Sequence, residues 1–125
     1  MCSKLKFNQG APVPAEKLEL GKIVTFPTSS GFVSGKFAGN MKSERWKSYW
    51  KTRIRTIHVV PINGFSEGKG RAAINFNVKK GAAVIVGQLK NGELRIATQP
   101  AAGGVEKVHD RMPFIVAETY QPKLG

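Results

Sequence analysis

The chain has 125 residues, with 20 Lys and Arg against 8 Asp and Glu, for a formal net charge of +12 at pH 7. That length supports one hydrophobic core without disulfide staples, and Cys2, the only cysteine, excludes an intramolecular disulfide and a cysteine-built zinc site. The charge calls for a polyanionic partner, and the longest strongly apolar run, 82–86, is too short to cross a bilayer.

Residues 1–20 are polar, carry Pro12 and Pro14, and read as an extended N-terminal arm. No apolar stretch of signal-peptide length opens the chain, so a cytoplasmic protein is expected, with no membrane association. Residues 21–119 form the expected folded domain, and 120–125 a tail.

Ile23, Val24 and Thr25 mark a first strand at 22–26, interrupted at 27–30 and resumed at 31–38. Gly31 and Gly35 suggest a bulge or tight bend, with Lys36 on the parity of Phe32 and Ser34, and Gly39-Asn40 reads as a turn. The segment 31–36 lacks the spacing and the following Ser or Thr of a phosphate-binding loop.

The stretch 42–55 reads Lys-Ser-Glu-Arg-Trp-Lys-Ser-Tyr-Trp-Lys-Thr-Arg-Ile-Arg. Lys42, Arg45, Lys47, Lys51, Arg53 and Arg55 oppose one acid, Glu44, and enclose Trp46, Tyr49 and Trp50. Cations track a phosphate backbone, while flat rings offer faces to unstacked bases. The three rings also fall at helical spacing, so a short amphipathic helix that buries them is the competing reading. No aliphatic residue accompanies them between 42 and 52, which favours exposure of at least one tryptophan. One structural and one stacking tryptophan are expected.

Residues 51–60 read as a strand ended by Pro61. Its register is ambiguous, because Ile57 and Val59 share the parity of Arg53 and Arg55; a bulge or burial of both faces would reconcile them. Residues 63–70 carry three glycines and read as a flexible loop. Phe65, Lys69 and Arg71 there repeat the aromatic-plus-basic chemistry, so the loop is expected to close over a bound strand.

Ile74, Phe76 and Val78 alternate inward along 73–78, and a turn at 79–81 leads to an apolar strand at 82–89. Asn91-Gly92 predicts a type I′ hairpin leading to a strand at 93–98. A helical turn at 105–111 and a strand at 113–119 complete the series. The pattern predicts an all-β fold, a small barrel or sandwich of six or seven short strands. With Asp110 the only aspartate and seven scattered glutamates, no paired carboxylates, metal site or cofactor is expected. His58 and His109 read as ordinary side chains, and no nucleophile elbow occurs. The expectation is a binding protein, not an enzyme.

The strand order resembles the OB-fold single-stranded DNA-binding proteins over about residues 20–98, with a glycine-bearing first long strand and a basic-aromatic segment before a strand at 51–60. The run 79–89, Lys-Lys-Gly-Ala-Ala-Val-Ile-Val-Gly-Gln-Leu, is similar to their basic-Gly entry into a buried strand. Their opening strand near residue 5 and their acidic C-terminal tip have no counterpart. The resemblance implies an OB-like barrel of five to seven strands that binds single-stranded nucleic acid, foremost DNA, without sequence specificity, with homo-oligomers possible. The candidate contacts are Lys36, Lys42, Arg45, Trp46, Lys47, Tyr49, Trp50, Lys51, Arg53, Arg55, Phe65, Lys69 and Arg71. Lys80-Gly81 with Val84 and Val86 is also similar to the KOW motif of SH3-like ribosomal proteins, so an RNA-binding barrel is the alternative. A virion or assembly protein facing packaged nucleic acid is a third reading.

Overall fold

A computed structural model describes residues 2–7, 15–68 and 74–121. Eleven strands form among them: β1 Cys2–Lys6, β2 Ala15–Lys17, β3 Ile23–Thr28, β4 Gly31–Lys42, β5 Ile54–Pro61, β6 Gly64–Glu67, β7 Ile74–Asn77, β8 Ala82–Leu89, β9 Leu94–Pro100, β10 Arg111–Pro113 and β11 Ile115–Ala117. Short 3-10 turns occupy Ser43–Arg45, Trp50–Thr52 and Val105–Lys107, and no α-helix occurs among the described residues. One sheet runs β2-β1-β6-β7; the other has seven strands, β11-β8-β9-β4-β3, with β10 on β9 and β5 on β8. Pairing is antiparallel except between β4 and β9. The fold is therefore all-β. The expected barrel of five to seven strands is corrected to eleven strands in two sheets, whose hydrogen-bonded order does not close among the described residues.

Two corrections concern segments expected to lie outside the core. Within 1–20, β1 pairs with both β2 and β6, and Leu5, Phe7 and Leu18 are buried in the main cluster beside Phe26, Phe37 and Phe65. A strand near residue 5 is thus present. Lys4-Leu5-Lys6-Phe7 already alternates with the two-residue period of a strand. The second segment is the supposed loop at 63–70, whose residues 64–67 are β6, buried throughout. A Cβ on Gly64 would lie 2.5 Å from the Phe76 carbonyl oxygen, so glycine there permits close strand approach. Ile74, expected inward, is exposed on β7 at the sheet edge.

Within the seven-stranded sheet, β8 and β9 are buried on both faces. Val84, Val86, Leu94 and Ile96 face the main core, whereas Ile85 and Ala97, on the opposite parity, join Met41, Trp50 and Ile54 in a second cluster. Bulges set this arrangement. In β4 the register shifts between Phe37 and Asn40, at Gly39 with φ 107°, so Phe37 faces the main core but Met41 the second cluster. In β5 the shift between Ile54 and Thr56 resolves the parity conflict, placing Ile57 and Val59 against the second cluster. Pro27 is accommodated within β3 because that strand ends the sheet order, where a missing donor leaves no ladder bond broken.

The hairpin between β8 and β9 departs from type I′. Gly92 has φ 89°, but no non-glycine residue among those described has positive φ, so Asn91 cannot supply the first left-handed position. Instead Gly92 N–H donates to the Leu89 carbonyl at 2.9 Å and Leu89 N–H to the Glu93 carbonyl at 2.8 Å, a three-residue loop with glycine in the left-handed position. Asn91 Oδ1 accepts from Glu93 N–H at 3.0 Å, which holds Asn91 in the ordinary region. A Cβ on Gly92 would meet nothing within 4 Å, so Gly92→Ala isolates backbone strain. It should cost about 1–2 kcal/mol in denaturant unfolding. Gly92→Asn should cost less.

Candidate nucleic-acid interface

The basic-aromatic stretch is not a helix: Lys42 ends β4, and Ile54 and Arg55 open β5. Ser43–Arg45 and Trp50–Thr52 are 3-10 turns joined by a turn at 46–49, and β5 begins only at Ile54. Tyr49 N–H donates to the Arg45 carbonyl at 3.0 Å, and Lys51 N–H to the Trp46 carbonyl at 2.9 Å. On this compact, irregular path all three rings meet the second cluster, Trp50 within it and Trp46 and Tyr49 packed against it.

Trp50 is 9 % exposed and packs into the second cluster, with Tyr49 edge-on at 4.7 Å between centroids. The Arg53 guanidinium lies 3.6 Å from the Tyr49 ring centroid and donates to the Tyr49 carbonyl at 2.7 Å; Arg45 lies 4.6 Å from the same ring. Tyr49 is therefore occupied by two cations. Arg95, which sequence reading did not single out, lies 4.9 Å from the Trp50 ring and donates to the Asn40 carbonyl. Trp46 is half-buried.

Between this stretch and the sheet lies a groove of about 210 Å³. Met41, Ile57, Ile85 and Ala97 come to it from the sheet; Trp46, Trp50, Phe114 and Tyr120 supply aromatic walls, with Lys42 and Ser43 beside them. Phe114 and Tyr120 were not legible as site residues. Phe114 sits between β10 and β11, where its N–H donates to the Ala97 carbonyl at 2.9 Å; the interruption splits the strand expected at 113–119.

Glu44, the one acid of the stretch, is neutralised in place. Arg111 donates to it through both terminal nitrogens, at 2.6 and 2.9 Å, and also to the Thr98 carbonyl at 2.9 Å. The Arg111 hydrogen bond, aided by backbone donation, lowers the Glu44 pKa from 4.5 to about 2. Because the folded value lies below the unfolded one, this pair stabilises above about pH 4.5 and is lost as pH falls towards about 2. Thermal melts should show Glu44→Gln less stable than wild type at pH 7, with the gap closing across that acid range. Glu44 is half-exposed, so the effect should be modest.

The structure thus brings Lys42, Trp46 and Trp50 to the groove, with Arg45, Tyr49 and Arg53 in contact with one another nearby. Lys47, Lys51 and Arg55 are exposed along the stretch. Lys36 is exposed on β4 on the other side of its bulge and does not line the groove. Phe65 is corrected to a core residue, 2 % exposed, while Lys69 and Arg71 lie outside the described residues. Among the described residues no cluster of His, Cys, Asp and Glu could hold a metal, and no helix is long and apolar enough to cross a membrane. Comparison with protein-family models, curated proteins and solved structures finds no match to this chain.

Proposed function

We propose that the protein is a non-enzymatic binder of single-stranded nucleic acid, foremost DNA, using Lys and Arg on phosphates and aromatic rings on bases. The observation that carries this reading is an aromatic-walled groove placed beside exposed cations whose only neighbouring acid in the stretch is held by Arg111. A phosphate approaching Lys42, Lys47 or Lys51 meets little opposing charge, while the groove accepts an apolar face. Within the all-β frame, the resemblance to OB-fold single-stranded DNA-binding proteins supports the same reading.

Fluorescence titration with poly-dT, poly-U and a duplex at two salt concentrations tests it. With about four to six phosphates neutralised, log K against log salt should have a slope of roughly −3 to −4 on single strands. Arg53→Glu with Arg55→Glu should weaken binding to all sequences alike. Binding without salt dependence would rule out this electrostatic mode, and preference for the duplex would turn the reading towards structured RNA or DNA.

A further inference from the structure

We propose that the groove is a pocket for one unstacked nucleobase, with the phosphates of its strand left outside on the cations; this inference rests on the single-strand reading above. The lining separates by chemistry. Its sheet side is apolar and offers nothing to a phosphate, whereas Trp46 and Phe114 supply aromatic rings and Lys42 supplies charge. At about 210 Å³ the space falls below the range of pockets for drug-sized ligands, which limits it to one small flat group and not a run of stacked bases.

The neighbouring rings narrow the choice further. Arg53 and Arg45 already lie against Tyr49, and Trp50 is buried with Arg95 on its ring. Trp46 packs partly against the second cluster and lines the groove while more exposed than Trp50, which makes it the ring of this stretch placed to meet a base. Charge complementarity chooses the occupant: an apolar peptide would fill the groove but gain nothing from the cations around it, whereas a nucleotide uses both. A base within a duplex would have to be unpaired and extruded first, so the pocket itself favours single strands.

The test compares dT12 with an abasic strand of equal length and charge, and with an abasic strand carrying one central thymine. Wild-type protein should prefer dT12 to the abasic strand by roughly 5- to 150-fold, with similar salt slopes. The single thymine should recover most of that preference. Trp46→Leu should abolish the preference while leaving the salt slope unchanged. Should that variant unfold, Tyr120→Ala serves in its place, since Tyr120 is 46 % exposed and its loss leaves the core intact. Equal, salt-dependent binding of all three strands would overturn the pocket and leave charge-driven binding standing. Preference for dT12 that one thymine does not begin to restore would also overturn it, pointing to stacking along the surface. Failure to bind any strand would remove both the pocket and the function on which it rests.

Discussion

Phe65→Ala should lower the free energy of unfolding by about 3–5 kcal/mol, the usual cost of truncating a buried phenylalanine. In a chain of this size that corresponds to a melting temperature lower by roughly 10–20 °C. Phe65 is 2 % exposed in β6, opposite Leu5 of β1 and Phe76 of β7. Its ring stacks on Phe76 with centroids 5.3 Å apart and planes 23° from parallel, so the substitution opens a cavity between three strands. Nearby cations at the sequence level made Phe65 look like a ligand contact, yet the pairing of β6 between β1 and β7 turns it inward. Oligonucleotide affinity of the folded variant should be unchanged. Weakened binding with an unaltered melting curve would return Phe65 to the interface.

The two tryptophans should separate into different phenotypes. Trp50→Ala should cost about 3–5 kcal/mol of stability, because it empties the centre of the second cluster and removes the ring beneath Arg95. Trp50→Phe should cost far less, since the indole nitrogen is buried without a hydrogen-bond partner and its loss breaks no bond. Trp46→Ala should instead weaken oligonucleotide binding by about 1–3 kcal/mol with a smaller change in melting temperature. Chemical denaturation and oligonucleotide titration of the three variants check this. If Trp46→Ala unfolds the protein while Trp50→Ala binds poorly but melts normally, the assignment is reversed.

Several features could be read from local sequence because local chemistry dictates them. Alternating apolar residues and β-branched runs mark β4, β8 and β9, and Gly92 marks the turn between the last two. The concentration of Lys, Arg and aromatic residues in 42–55 is likewise a property of the chain alone. The alternation of Lys4 to Phe7 was equally legible, but proline and polar residues around it favoured an arm.

What only the tertiary structure decided is which neighbours each segment finds. Glycines at 64, 68 and 70 signal flexibility in isolation; a strand on either side of β6 turns the need for close approach at Gly64 into a reason for order. The turn type at Asn91 followed from competition between two local solutions, settled by the hydrogen bond from Glu93 to its side chain. Arg111 and Glu44 are 67 residues apart, and no sequence pattern announces their pairing. Phe114 and Tyr120 reach the groove for the same reason: long-range strand pairing sets the C-terminal strands against the sheet, beside a stretch some 70 residues earlier. Composition determined the chemistry available to this protein, and bulges, strand order and a broken last strand determined where that chemistry meets.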